Sequence, residues 1–279
     1  MRPIFVFCEG SQDIAFLCRL IQETSAATPY TIPLKEYPKP LNYFFGLRFS
    51  ERIIEHAKFR PSGPMVPDNL PVLQAAYKLP DPDRLLLFLN CYGADRTEEV
   101  SKFLTLLVGL GKSPETTKGL PAFGLVFVND ADELGINQRL ANLKTTYTPI
   151  LHTILPRFSL MSANDVLNDG PFSAGCCIFA EPGKNTGTLE NILAPLMRVR
   201  QQSRQDVAQQ FVLDHIPGTK IEVTTPASRR IKAVLTVAGQ HNLYGDSLVV
   251  IVRDSDALHR EDMAKSLHCC TYAKVLTRI

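Results

Sequence analysis

The chain has 279 residues, 45% of them hydrophobic and 21% charged, and 30 Lys and Arg against 28 Asp and Glu leave a formal charge of +2. That composition excludes a disordered or low-complexity chain and leaves room for one large or two small domains. The near-balanced charge favours neither a nucleic-acid partner nor its absence. No apolar run approaches the ~20 residues of a membrane helix, so no membrane association is expected.

Residues 4–8 form a short apolar run rich in aromatic and β-branched side chains, which predicts a buried strand. Glu9 and Gly10 end it. Ser11 is an expected N-cap, and Asp13 falls in the first helical turn, where the dipole favours negative charge. Ile14, Leu17, Cys18 and Ile21 then repeat at helical spacing. Glu9 therefore sits at a strand-to-helix crossing, the edge at which open α/β sheets bind ligands. The run is too short for a secretory signal and leads straight into Glu9, so a cytoplasmic location is expected.

Residues 29–83 hold ten of the 20 prolines. The expectation there is an irregular insertion, a candidate lid, with short helices near 50–58 and 72–77. Regular alternation resumes with a strand at 85–89, a helix carrying Val100, Phe103, Leu104, Leu107 and Val108, and a strand at 125–128. A helix bearing Ile136, Leu140 and Leu143 follows. Residues 149–171 show no clear period. A strand at 176–180 leads through residues 181–187 into a helix with Leu189, Ile192, Leu193, Leu196 and Met197 inward. This helix, or one following it, runs to about residue 213. Thr225 and Pro226 read as the start of a helix that Gly239 stops. A last buried strand is expected at 248–252 and a last helix at 257–267, with Asp254 or Ser255 as its cap.

Strands alternating with helices predict an α/β fold, a mainly parallel sheet covered by helices. The core falls at residues 1–28 and 84–197, and residues 198–279 form a C-terminal α/β extension. The seven cysteines are Cys8, Cys18, Cys91, Cys176, Cys177, Cys269 and Cys270, with no C-x-x-C pair. Reduced, buried thiols are expected, and no zinc site. Gly109 to Ser113 lacks the spacing and strand context of a phosphate loop.

Three acidic groups follow predicted strands: Glu9, the pair Asp130 and Asp132, and Glu190. Oxygen ligands at strand C-termini are how Mg²⁺ is commonly held beside a phosphate. Glu9-Gly10 with Asp13 and Phe16-Leu17 resembles the E-G-x-x-D-x-x-F-L form of the Toprim domain. Asp130-Ala131-Asp132-Glu133-Leu134-Gly135 resembles its D-x-D-x-x-G element, and Glu190 in G-T-L-E is similar to a further acidic residue of Toprim relatives. That fold is shared by topoisomerases, bacterial primases and nucleases of the overcoming-lysogenization-defect family, and the likeness is to the nuclease-type branch.

The resemblance covers residues 4–20 and 84–196. It implies Mg²⁺ or Mn²⁺ held by Asp130, Asp132 and Glu190, with Glu9 as ligand or general base. The implied activity is phosphodiester hydrolysis on nucleic acid; the alternative is a non-catalytic Toprim-like module that binds a nucleotide or a partner protein. No second domain with a topoisomerase tyrosine is recognised in this sequence, so DNA strand passage and priming are not expected of it. Lys184 is a candidate phosphate-binding group. Arg229 and Arg230, in a stretch of basic residues interspersed with acids, are candidates for nucleic-acid binding.

Overall fold

A computed structural model describes residues 1–48, 71–80, 84–93, 97–112, 119–215, 227–240, 247–254 and 256–279. Its centre is a seven-stranded sheet. The strands are β1 (Arg2–Cys8), β2 (Thr28–Pro29), β3 (Val72–Leu79), β4 (Arg84–Asn90), β5 (Phe123–Asp130), β6 (Val166–Asp169) and β7 (Phe172–Phe179), in the order β2-β3-β4-β1-β5-β7-β6. The four central strands β4, β1, β5 and β7 are parallel, while β3 and β6 run antiparallel at the flanks. The helices are α1 (Ser11–Ser25), α2 (Leu41–Arg48), α3 (Thr97–Gly111), α4 (Ile136–Leu151), α5 (Leu189–His215), α6 (Ala227–Gly239), α7 (Leu248–Asp254), α8 (Arg260–Lys265) and α9 (Leu267–Arg278).

The central strands are buried on both faces, which explains their continuous apolar sequences. In β1, Ile4, Val6 and Cys8 pack with α1, α5, α7 and α9, whereas Phe5 and Phe7 pack with α2, α3 and α4. Phe5 meets the edges of Phe44, Phe103 and Phe123 at ring separations of 5.7, 5.8 and 6.2 Å. Each such buried side chain contributes ~1.5–3 kcal/mol of transfer free energy.

The chain leaves β1 through α1 on one face, and leaves β4 and β5 through α3 and α4 on the other. Loops departing to opposite faces open a crevice at the carboxyl ends of β1 and β5, the topological switch point at which sheets of this kind take ligands. Cys8 is level with Val128 in the parallel register, so Glu9 and Asn129 emerge side by side.

The Pro-rich region adds strands to the sheet. The expected helix at 72–77 is instead part of β3, which pairs antiparallel with β4. Buried along nearly all its length, β3 lacks the alternation that marks a half-exposed strand. The expected helix near 50–58 lies outside the described residues. The stretch 149–171, read as aperiodic, ends α4 and supplies β6, whose pairing with β7 fixes it.

The C-terminal extension is helical among the described residues, not α/β. Residues 248–252 form helix α7 rather than a strand. Leu248, Ile251 and Val252 point inward at helical spacing, and the Ser247 carbonyl accepts from the Val250 and Ile251 N–H groups at 3.0 and 3.1 Å. A short apolar β-branched run is ambiguous by itself; packing on α1 and α6 decides it. A Cβ on Gly239 of α6 would lie 2.5 Å from an Ile251 methyl, so the two helices touch there. Ile251→Val should accordingly cost ~0.5–1.5 kcal/mol in denaturant unfolding, the loss of one methyl in a packed contact.

The expected helix at 257–267 is two helices, α8 and α9, broken at Ser266. Ser266 is extended, and its hydroxyl accepts from the Cys269 N–H at 3.4 Å. The caps of these helices are therefore His259 and Ser266. Asp254 ends α7 and pairs with Arg253, and Ser255 lies outside the described residues. All seven cysteines are free, six of them buried. Among the described residues no helix is long and apolar enough to cross a membrane.

Candidate functional site

Glu9 leaves β1 and meets Asn129, whose side-chain amide donates to Glu9 Oε1 at 2.8 Å. Asp130, the last residue of β5, accepts the Leu189 N–H on Oδ1 at 2.8 Å. This contact satisfies a donor at the start of α5 and fixes the carboxylate against a helix N-terminus. Glu190, in the first turn of α5, is 8% exposed. Asp13 accepts the Gly10 N–H at 2.8 Å, as an N3 residue of a capping box does, and is 7% exposed. It therefore caps its own helix and also belongs to the acidic group.

These four carboxylates feel one another. Burial, helped by the charges of Asp13, Glu9 and Glu190 and opposed by the Leu189 hydrogen bond, raises the pKa of Asp130 to about 9. Burial also raises Asp13, with Glu9 and Glu190 adding to the effect and the Gly10 N–H and Lys232 opposing it. Glu9 is raised chiefly by burial, opposed by the Asn129 amide and by Arg139. Crowded, desolvated carboxylates hold protons when no cation balances them.

Asp132 is placed differently. It has a φ of 48°, its N–H and carbonyl bond to Gly187 at 2.7 and 3.0 Å, and its carboxylate pairs with Arg139 on α4. This bridge ties the loop after β5 to the loop after β7. Gly187 has a φ of +126°, and a Cβ there would lie 2.5 Å from the Glu181 nitrogen. Gly187→Ala should thus cost ~1–3 kcal/mol by chemical denaturation, through a strained backbone in a crowded turn.

A second cation, besides Arg139, borders the acidic group. Lys232 of α6 donates to Gln12 Oε1 at 2.7 Å and lies 3.8 Å from Glu190 Oε1. Lys184, the candidate phosphate ligand, pairs instead with Glu181 at 2.8 Å. Arg230 is half-buried on α6, two residues and so roughly 200° around the helix from Lys232. The side chain of Arg229 lies outside the described residues. Sequence reasoning assigns Asn129 and Arg139 no role in the site, reads Asp13 only as a helix-start residue, and places Lys232 only in a general basic stretch. Asn129 adjoins the acidic motif and could have been flagged. Arg139 and Lys232 arrive from helices, with no local signal.

Among the described residues no three His, Cys, Asp or Glu side chains form a preformed metal group. The donor chemistry nonetheless suits a hard divalent ion, because the clustered groups are carboxylates whose raised pKa values a cation would relieve.

No protein-family model matches the chain, and no curated protein matches it in sequence. A crystal structure of a hypothetical protein from Pyrococcus horikoshii OT3 is similar in fold, with a TM-score of 0.53 at 15% identity. The match covers 100% of this chain and 99% of that one. It supports the α/β architecture and says nothing of activity.

Proposed function

We propose that this is a Toprim-like protein whose acidic edge binds Mg²⁺ or Mn²⁺ and hydrolyses phosphodiester bonds in nucleic acid. The observation carrying this reading is the convergence of Glu9, Asp13, Asp130 and Glu190 at the β1/β5 crevice, with Asp130 raised to about 9. Asp13 and Asp130 also cap helices, but crowding four carboxylates costs stability, and perturbed titration in a cleft marks candidate functional sites. Asp130 and Glu190 would hold the ion, with Asp132 in the adjoining loop. A bound Mg²⁺ supplies charge stabilisation on a phosphate and an acidified water.

The chain's own groups do the rest. The Asn129 amide keeps the Glu9 carboxylate oriented, and burial makes Glu9 a stronger base than an exposed glutamate, so it can take the proton of an attacking water. The Leu189 N–H fixes Asp130, and Lys232 balances Glu190 while offering positive charge to a phosphate. The pairing of Asp132 with Arg139 favours the second reading, a non-catalytic module that binds a nucleotide or a protein.

Cleavage assays on single- and double-stranded DNA and RNA, with Mg²⁺ or Mn²⁺, test the choice. Metal-dependent cleavage is expected. Cation binding without cleavage of any substrate would leave the binding module as the better account.

A further inference from the structure

A cavity of about 390 Å³ lies between α3 and α4, on the face of the sheet opposite α1. Glu9 and Asn129 line it, so it opens from the same edge as the acidic group. Phe7 and Phe127, stacked with ring centres 5.5 Å apart, and Tyr147, stacked on Phe127 at 5.1 Å, build its aromatic wall. Helix α4 supplies a polar stripe, Arg139, Asn142 and Thr146, at spacings of three and four residues. Arg139 also pairs with Asp132, so its guanidinium joins the cavity to the loop after β5.

We infer that this cavity takes one unpaired nucleoside unit, whose phosphate then lies at the acidic edge. The apolar surface that Phe7, Phe127 and Tyr147 leave on the cavity suits the flat body of a base. The Arg139 guanidinium, the Asn142 amide and the Thr146 hydroxyl suit its polar rim or its sugar. Ligand pockets of a few hundred Å³ combine apolar walls with a few placed polar groups in this way. The volume admits a single nucleoside and no base pair, so a duplex must open or end at the site. The inference rests on the proposed function for the placement of the phosphate, and on the cavity alone for the base.

The test uses the full chain with adenosine, adenosine 5′-monophosphate and inorganic phosphate as separate probes, followed by saturation-transfer NMR and calorimetry. Adenosine and its monophosphate should both bind, with transfer to the adenine protons; phosphate alone should not reproduce their binding. Asn142→Phe and Thr146→Phe, which fill the cavity from α4, should weaken nucleoside binding about tenfold or more. Their thermal response to Mg²⁺ should match that of the unaltered protein. Nuclear Overhauser contacts from adenine to the Thr146 methyl in the unaltered protein give a reading independent of whether either variant folds. Absence of these contacts, or equal binding by a folded variant, would overturn the inference. Nucleoside binding without any Mg²⁺ response would support the cavity and defeat the cation site.

Discussion

Without divalent metal, Asp130→Asn should be more stable than the unaltered protein, by on the order of 2–4 kcal/mol at pH 8. The amide is close to the carboxylate in shape, and its oxygen can still accept the Leu189 N–H that now bonds Asp130 at 2.8 Å. It removes the cost of a buried acid crowded by Asp13, Glu9 and Glu190. The gain must depend on pH in a definite direction. Asp130 has an ordinary pKa of 3.8, raised in the fold to about 9. The folded state therefore favours its protonated form. The stability this gives is complete below pH ~4 and is lost as pH rises toward 9. The variant should thus match the unaltered protein near pH 4 and exceed it increasingly up to pH 8–9, by urea unfolding at each pH. Mg²⁺ or Mn²⁺ should reverse the order, stabilising the unaltered protein by mass action and leaving the variant unmoved. A variant less stable at every pH would mean that Asp130 serves the fold alone.

Glu9→Gln should lower metal-dependent cleavage ~100- to 10,000-fold, the loss typical of one acid–base group. The fold should survive, since Gln keeps an acceptor for the Asn129 amide and Glu9 meets the loop after β4 through its backbone, a 2.8 Å bond from the Gly93 N–H. Melting curves beside single-turnover rates separate the two effects. A large rate loss with unchanged stability supports Glu9 as base or ligand. An unchanged rate would remove it from the chemistry.

The positions of Glu9 and Asp130 were legible because these residues end strands. Glu9 and Asp130 lie at the ends of β1 and β5, where parallel register levels Glu9 with Asn129, the residue before Asp130. Glu190 was found for a related reason, as the first turn of the helix after β7. The strand assignments failed where burial hid the period. Val72 to Leu79 is buried on both faces, so neither the strand nor the helix pattern stands out. Leu248 to Val252 is a β-branched run that tertiary packing turns into a helix. The pairing of Asp132 with Arg139 and the approach of Lys232 to Glu190 depend on where α4 and α6 settle, which no local pattern encodes.

The proposed function requires a divalent cation in the β1/β5 crevice. Crystals soaked in Mn²⁺, with diffraction collected at the manganese absorption edge, test it most directly. An anomalous peak within coordinating distance of Asp130 and of Glu9 or Glu190, absent from Asp130→Asn crystals treated alike, is the predicted result. Saturating Mn²⁺ that leaves the crevice without a peak, or gives the same peak in the variant, would contradict it.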